Sequence, residues 1–334
     1  MWKLSWRACG LGFAIWLVAG TTSAQVILDT AQVREALQRG VQVWDVRPDK
    51  DFVRAHLPGA LSAGDAAKAL REPNSEDFLP TEEVARILGE AGIDPAKETI
   101  VYGTRGTWQP YFGRFTLRYF GADRVSVYHE GIEGWQAEGL PVEAGAPKAR
   151  PIALKLEPNP AVAVTTEEVL ERLGRDDVQI VDARTPGEFA GTDIRALRGG
   201  HVPGAVNIPY EMNWNDPATL LKLARKQVGD NRGMSLKDDE ALKALYARLD
   251  PDKETVVYCQ SGARASQTAG VLEQLGFSNV RVYDASWLGY GNRLDAPAEN
   301  VTYFNVGALN GRIAAMQKRI EALEKELAEA RKRD

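Results

Sequence analysis

The stretch that decides the fold is V-W-D-V-R-P-D-K-D-F-V-R-A-H-L-P-G-A, which runs from Val43 to Ala60. Much of it returns later in the chain, as I-V-D-A-R-T-P-G-E-F from Ile180 to Phe189 and as G-H-V-P-G-A from Gly200 to Ala205. The residues that align in the two copies include the pairs Asp45 and Asp182, Arg47 and Arg184, Phe52 and Phe189, and His56 and His201. An internal repeat of this length indicates two domains of the same architecture.

Two further pairs of segments extend the repeat. T-I-V-Y-G (99–103) matches T-V-V-Y-C (255–259), and V-Y-H-E-G-I-E-G-W (127–135) aligns without a gap on V-Y-D-A-S-W-L-G-Y (282–290). In both copies, short runs of β-branched residues alternate with helical patterns, which is typical of βαβ units. The sequence therefore predicts an α/β fold with two domains, each built on a mainly parallel sheet flanked by helices.

The repeat also predicts where the domains begin and end. The first domain is expected at 26–145 and the second at 163–300, joined by a proline-rich, extended linker at 146–162. A separate helix is expected at 305–334. With 334 residues, 44% hydrophobic and 26% charged, the chain has the composition of a soluble protein that is large enough for two cores.

The first residues have a different character. Lys3 and Arg7 precede an apolar run from Ala8 to Gly20, and the small residues Thr22-Ser23-Ala24 follow it. This pattern predicts that residues 1–24 are a signal peptide cut after Ala24, and that the protein is exported, most simply to a bacterial periplasm. The alternative is an uncleaved membrane anchor, for which the apolar run is short.

Charge and cysteine content exclude several classes of function. A formal net charge of −5 without a basic cluster argues against a nucleic-acid partner. The three histidines are scattered, so neither a metal site nor a cofactor is predicted. The only cysteines are Cys9 and Cys259, and removal of the signal peptide leaves Cys259 alone. An exported protein normally pairs its cysteines, so a single one is either an inert core residue or a reactive thiol.

The six-residue loop C-Q-S-G-A-R, from Cys259 to Arg264, lies between a strand predicted at 255–258 and a helix predicted at 264–275. With the two D-x-R strands and the two H-x-P-G-A turns, it makes residues 26–300 resemble the tandem form of the rhodanese superfamily, the thiosulfate and 3-mercaptopyruvate sulfurtransferases. The resemblance implies that Cys259 is the catalytic nucleophile of a sulfurtransferase. It also implies a binding loop for substrate and persulfide, made of Gln260, Ser261, Gly262, Ala263 and Arg264.

The surroundings of Cys259 support this chemistry on physical grounds. A loop before a helix N-terminus directs backbone N–H groups at one point, and Gly262 lets it turn tightly. The helix dipole and Arg264 would favour the thiolate, which attacks the outer sulfur of a donor such as thiosulfate or polysulfide. The resulting persulfide would pass its sulfur to cyanide, a thiol or an acceptor protein. The alternative is a buried cysteine without reactivity.

Two other functions stay open at this point. Cysteine phosphatases and arsenate reductases resemble this site, but the phosphatases have a longer loop, whereas four residues separate Cys259 from Arg264. The tighter loop favours a single sulfur atom over a tetrahedral phosphate. The other alternative is a persulfide carrier that hands its sulfur to a partner and has little turnover alone.

The sequence departs from the family in one respect. Related sulfurtransferases usually have an Arg-Phe pair after the D-x-R strand, and that arginine contacts the anionic end of the donor. Here the pair is Glu188-Phe189. Arg195 or Arg198, in the extra stretch before the second H-x-P-G turn, would supply the missing charge. Three further residues are expected to brace the loop by hydrogen bonds: Asp182, Arg184 and His201.

The first copy lacks the nucleophile. Gly103 stands where Cys259 stands in the second copy, and the corresponding loop G-T-R-G-T-W ends in Trp108 instead of an arginine. The first domain is therefore predicted to be non-catalytic. The resemblance to the tandem family implies that it packs on the second domain and helps to shape its cleft. The alternative is that its loop binds an anion or a partner.

The end of the chain carries a heptad pattern. Its apolar positions, spaced alternately by four and three residues, are Leu309, Ile313, Met316, Ile320, Leu323, Leu327 and Ala330. This spacing predicts a coiled coil over 309–330 that joins copies of the chain, and β-branched residues at the a positions favour a parallel dimer. The pairs Arg319–Glu324 and Glu326–Arg331 would attract each other across it. The alternative is an amphipathic helix that packs on its own domain.

Overall fold

The computed structural model describes residues 25–73, 75–146 and 148–331. The predicted signal peptide, residues 1–24, lies outside the described residues. Among the residues that are described, no helix combines the length and the apolar character needed to cross a bilayer.

The elements alternate as the repeat predicts. The first domain contains β1 (Ile27–Leu28), α1 (Thr30–Gln38), β2 (Gln42–Asp45), α2 (Asp49–Arg54), β3 (Leu61–Ser62), α3 (Ala66–Ala69), α4 (Thr81–Glu90), β4 (Thr99–Tyr102), α5 (Gln109–Tyr119), β5 (Val125–Tyr128) and α6 (Gly131–Ala137). The second contains β6 (Ala163–Val164), α7 (Thr166–Arg172), β7 (Val178–Asp182), α8 (Pro186–Phe189), β8 (Arg198–His201), β9 (Val206–Asn207), α9 (Thr219–Ala224), α10 (Asp239–Leu245), β10 (Glu254–Tyr258), α11 (Ala263–Gln274), β11 (Val280–Tyr283), α12 (Ser286–Asn292), β12 (Glu299–Tyr303) and α13 (Val306–Ala330). Three 3₁₀ turns complete it, at Pro160–Val162, Tyr210–Asn213 and Arg232–Met234.

Each domain is built on a five-stranded parallel sheet, and the two sheets have the same strand order. The order is β1-β5-β4-β2-β3 in the first domain and β6-β11-β10-β7-β9 in the second. The central strands β4 and β10 are almost wholly buried and rich in β-branched residues, as sheets covered on both faces require. The predicted α/β architecture, two domains each built on a mainly parallel sheet flanked by helices, is confirmed. The carboxyl end of β10, where Cys259 follows, therefore lies at a sheet edge where ligands of such folds bind.

The two domains pack through α5 and α11. Eight consecutive residues of α11, 265–272, are buried, because this helix lies between its own sheet and α5 of the first domain. Gly270 allows the close approach, since a Cβ there would lie 2.7 Å from the Tyr111 ring. Glu273 forms ion pairs with Arg114 and Arg118 of α5. The helix that begins beside Cys259 is thus also the main contact between the domains.

Two features outside the sheets differ from simple expectation. β8 and β12 form an antiparallel pair, in which Arg198 lies opposite Tyr303, so the second domain continues beyond its predicted end at 300. The segment predicted as a linker, 146–162, packs in part on the first domain and ends in the 3₁₀ turn Pro160–Val162. The amide of Ile152 donates to the carbonyl of Gly89 at 2.9 Å, and Leu156 is buried in the first domain's core.

The last helix, α13, stands away from both domains. All residues from 306 to 329 are exposed, including the apolar residues of the heptad pattern. The alternative in which this helix packs on its own domain is therefore wrong. The structure holds one chain, so the predicted coiled coil stays a prediction.

Candidate active site

Cys259 lies between the end of β10 and the start of α11, as the sequence predicts, and is 1% exposed. Gly262 makes the turn into the helix with φ +77°, a conformation that favours glycine. It also lies flat against Asp284, because a Cβ at this position would come within 2.4 Å of Asp284 Oδ1. The loop is therefore fixed from behind by the segment that follows β11.

The backbone amides of the loop divide into two sets. Those of Cys259 and Gly262 donate to Ser286 Oγ at 3.1 and 2.9 Å, and this hydroxyl donates in turn to the carbonyl of Tyr283 at 2.7 Å. The amides of Gln260, Ser261, Ala263 and Arg264 have no acceptor among the described residues. Only part of the predicted ring of donors is thus available to an anion, since Ser286 occupies the rest. Ser286 was not identified as a functional residue from the sequence. It stands at the position that Gly131 occupies in the first copy.

Cys259 opens into a cleft of about 740 Å³ between the two domains. Five of the six loop residues line it, while Gly262 lies behind. The other lining residues of the second domain are Arg195, Tyr210 and Glu211, and those of the first are Ala67, Lys68, Arg71, Glu72, Pro73, Glu76, Trp108 and Phe112. The first domain thus supplies one wall of the cleft, as predicted.

Glu188, noted above as a departure from the family, holds the loop arginine. Its carboxylate accepts two hydrogen bonds from Arg264, at 2.7 and 2.8 Å, and one from Arg195 at 3.1 Å. Burial alone would raise the pKa of Glu188, but the bonds from Arg264 lower it to about 2. Burial opposes the charge of Arg264, yet Glu188 and the nearby Cys259 raise the pKa of that guanidinium above its usual range. Arg264 is therefore a fixed cation beside the sulfur.

The two arginines predicted to meet the donor have different positions. Arg195 lines the cleft and its side chain is 52% exposed. Arg198 is buried outside the cleft, where it lies over the Trp287 ring and donates to the carbonyl of Arg293 at 2.8 Å. The expectation that Arg198 contacts the donor is therefore wrong. The physical reason is that the guanidinium packs against α12, between the rings of Trp287 and Tyr290.

The three residues expected to brace the loop lie outside the cleft lining. Asp182 and Arg184 are joined by a bond of 2.6 Å, and Arg184 also donates to the carbonyl of Gly200 at 2.7 Å. The Arg184 guanidinium lies over the ring of Trp287, and the backbone amide of Trp287 donates to the carbonyl of Cys259. His201 Nδ1 donates to the carbonyl of Phe189. These three side chains thus bond to other parts of the second domain. Among the described residues, their link to the Cys259 loop runs through Trp287.

Arg71 of the first domain reaches the segment behind the loop, a contact that the sequence analysis missed. Its guanidinium makes two hydrogen bonds of 2.8 Å to the carboxylate of Asp284. Burial raises the pKa of Asp284, and Arg71 opposes that shift. Phe78 and Phe112 cover the guanidinium, with ring centroids at 3.7 and 4.5 Å. The first domain is thereby tied to the residue against which Gly262 rests.

The corresponding loop of the first domain, residues 103–108, is closed by the second domain. A Cβ at Gly106 would lie 2.3 Å from Met234 Cβ, and His129 Nε2 lies 2.9 Å from the Met234 carbonyl. The Arg105 side chain pairs with Glu130 at 2.8 Å. Met234 of the second domain thus packs against this loop at Gly106, while Trp108 at its end lines the cleft. The alternative that the loop binds an anion or an external partner stays a prediction.

No group of three or more His, Cys, Asp or Glu side chains in the described part of the chain could hold a metal ion. The chemistry that these residues offer is therefore that of one buried sulfur, fixed cations and free amide donors at the edge of a cleft. Such surroundings suit an anionic sulfur nucleophile.

Comparison with known proteins agrees with the fold. Residues 29–138 and 165–293 match the rhodanese-like domain family. A thiosulfate sulfurtransferase of Corynebacterium glutamicum is 36% identical over 258 residues, which cover 73% of this chain and 79% of that protein. One of Azotobacter vinelandii is 32% identical over 253 residues, covering 74% and 87%.

A solved structure shares the architecture. The 3-mercaptopyruvate sulfotransferase of Escherichia coli superimposes with a TM-score of 0.66 at 26% identity, over 79% of this chain and 99% of that one. The similarity spans both domains, and the E. coli structure supports no conclusion about the C-terminal helix α13.

Proposed function

Because this chain belongs to the rhodanese-like family, as a sulfurtransferase with two such domains, we propose that it carries sulfur as a persulfide on Cys259. The observation that carries the proposal is the place of Cys259 on the interdomain cleft, beside the fixed cation Arg264 and the free amides of Gln260 and Ser261. The donor would be thiosulfate or a polysulfide. The acceptor would be cyanide or a thiol.

The reaction has two steps. The Cys259 thiolate attacks the outer sulfur of thiosulfate, the donor's S–S bond breaks, and sulfite leaves with its electron pair. The persulfide stays beside the amides of Gln260 and Ser261. An acceptor nucleophile then bonds to the outer sulfur, and the electron pair of the persulfide bond returns to Cys259. Arg195, half exposed on the cleft, is the cation we assign to the donor's anionic end.

Intact-mass measurement after incubation with thiosulfate or polysulfide tests the proposal. We expect one added sulfur that cyanide removes as thiocyanate and that is absent from Cys259→Ser. Arg195→Ala should raise the KM for thiosulfate with less effect on the loading of polysulfide. Loading that persists in Cys259→Ser, or phosphate release from phosphoesters without sulfur loading, would contradict it.

A second candidate function is that of a persulfide carrier, which would release its sulfur slowly. It is favoured by the buried position of Arg198, which leaves Arg195 as the one arginine of the predicted pair in the cleft. A carrier would load fully but give little thiocyanate over many turnovers. A steady-state rate that matches the loading rate excludes it.

The exposed heptad face of α13 is proposed to pair with a second copy of the chain. Its apolar residues lie in water in the single chain, with exposed fractions of 52% for Ile320 and 46% for Leu323. In a parallel dimer the heptad places Arg319 against Glu324. Light scattering should show a dimer that Ile320→Glu dissociates, while Ala322→Glu, outside the apolar face, stays dimeric. A wild-type monomer would contradict this.

Export is proposed from the sequence of residues 1–24, with cleavage after Ala24. Expression in a bacterial host should give a periplasmic protein whose first residue is Gln25. Retention of the full leader in a membrane fraction would instead identify an anchor.

A further inference from the structure

Glu211, one of the carboxylates that line the cleft, has surroundings opposite to those of Glu188, which lies outside the lining. Glu211 lies in the 3₁₀ turn Tyr210–Asn213 and lines the same cleft as Cys259. Glu188 is engaged by two arginines, whereas Glu211 forms no ion pair in the described part of the chain, and it is the residue's own backbone amide that bonds its carboxylate. Its turn packs against α11, the helix that begins beside Cys259. A half-buried carboxylate without a cationic partner at the edge of a reaction cleft is available for proton transfer.

The persulfide mechanism creates a need for such a group when the acceptor is a thiol. The cyanide ion has no proton to lose, since CN⁻ and the anionic persulfide give thiocyanate and the Cys259 thiolate, so its rate is expressed per concentration of CN⁻ and not of total cyanide. A thiol must lose its S–H proton to become a nucleophile. The sulfur under attack is itself anionic, so a proton delivered to it would reduce the repulsion between the two sulfurs. One carboxylate can do both.

We propose that Glu211 is the catalytic base for thiol acceptors, and this inference rests on the persulfide proposed above. The carboxylate takes the proton of R–SH, and the R–S⁻ sulfur bonds to the outer sulfur of the persulfide. The bond from that sulfur to Cys259 breaks, and its electron pair stays on Cys259. Glu211 gives the proton to the transferred sulfur, so R–SH and the Cys259 persulfide anion become R–S–SH and the Cys259 thiolate.

The electrostatics of the cleft fit this role. Burial raises the pKa of Glu211; the hydrogen bond from its own backbone amide and the positive charge of Arg264 oppose that rise, and the charge of Glu188 adds to it. The raised value makes Glu211 a stronger base than an exposed carboxylate, while Glu188 with its pKa of about 2 cannot act as one near neutral pH. The other charged or titratable groups on the walls are Arg195 and Tyr210 of the same domain, and Lys68, Arg71, Glu72 and Glu76 of the first.

A single-turnover experiment separates this step from donor chemistry. The full-length protein is loaded with sulfur, freed of donor and mixed with cyanide or with 2-mercaptoethanol, and intact mass follows the loss of the loaded form. In Glu211→Gln we expect the ratio of the thiol rate to the cyanide rate to fall by about 10²-fold. Glu72→Gln, which removes the same charge from the opposite wall, should leave the ratio unchanged. Glu211→Asp should restore part of the thiol rate.

The pH profile is the second readout. In the wild type the thiol rate should hold below the thiol's own pKa, because ionised Glu211 accepts the proton, and should fall only when Glu211 is protonated. In Glu211→Gln it should fall by about tenfold per pH unit below the thiol pKa, since only free thiolate reacts. An unchanged ratio in Glu211→Gln, or an equal change in Glu72→Gln, overturns the inference. Failure of the wild type to load sulfur overturns the persulfide proposal instead.

Discussion

The loop that carries Cys259 and its counterpart in the first domain have the same shape but different neighbours. Both turn through a glycine in the left-handed conformation, with φ +77° at Gly262 and +74° at Gly106. The loop that carries Cys259 faces an interdomain cleft of about 740 Å³. The loop with Gly106 packs against Met234 of the second domain.

The residues that follow β5 and β11 show the same contrast between the two domains. Asp284 and His129 occupy equivalent positions, and each reaches across to the other domain: Asp284 to Arg71 and His129 to the carbonyl of Met234. Each loop is therefore backed or closed by its partner domain. The difference is that the second domain's contact fills the loop at Gly106, whereas the first domain's contact leaves Cys259 open. Chemistry in this chain depends on what faces the loop as well as on the nucleophile.

Moving the cysteine to the corresponding loop of the first domain should have the largest effect on sulfur transfer. In Gly103→Cys/Cys259→Ser we expect sulfur transfer to cyanide to fall at least about 10⁴-fold, the loss typical of a missing nucleophile. A Cβ at Gly103 would lie 3.3 Å from the side chains of Pro110 and Val46, which leaves no cleft for a donor. Thiocyanate formation measures the effect.

The control is Cys259→Ser alone, which should be equally inactive. If the double variant transferred sulfur faster than this control, the closed surroundings of the first loop would not be what silences it.

The next largest effect should come from the contact between the domains behind Cys259. In Arg71→Met the carboxylate of Asp284 keeps its buried position without a cation, and breaking a buried ion pair costs about 3–5 kcal/mol. Urea unfolding should show this loss, and sulfur loading should slow because Gly262 rests on Asp284.

The matched variant is Arg71→Met/Asp284→Asn, which removes both charges. It should recover part of the lost free energy, since the two residues are coupled. Additive losses in the double variant would mean that the bonds between them carry no stabilisation.

The sequence identified the features that local pattern encodes. The positions of β10 and α11 around Cys259 agree with prediction to within one residue, because a β-branched run and a helical run flank the loop. The common strand order of the two domains follows from the internal repeat in the same way. Gly262 was identified because only a residue without a Cβ suits its turn.

Contacts between distant residues were beyond the sequence. Arg198 was misplaced because its burial depends on α12, where its partner Tyr290 lies 92 residues away. Glu188 looked like a missing charge, but its partner Arg264 lies 76 residues away, and the pair Arg71–Asp284 spans 213 residues. Residue types at these positions do not reveal which side chains the fold brings together, since each pairing depends on packing between elements.

The two glycines give the smallest effect and the sharpest test of the comparison. Gly262→Ala and Gly106→Ala both place a side chain at positive φ, a strain of about 1–3 kcal/mol that urea unfolding should detect in each. Only Gly262→Ala should also slow sulfur loading at a temperature where both variants are folded, because its new Cβ meets Asp284 behind the nucleophile, whereas that of Gly106 meets Met234 at the closed loop. Equal slowing in the two variants would show that the closed loop controls the active one through the domain interface, and the separation of roles drawn from the structure would then fail.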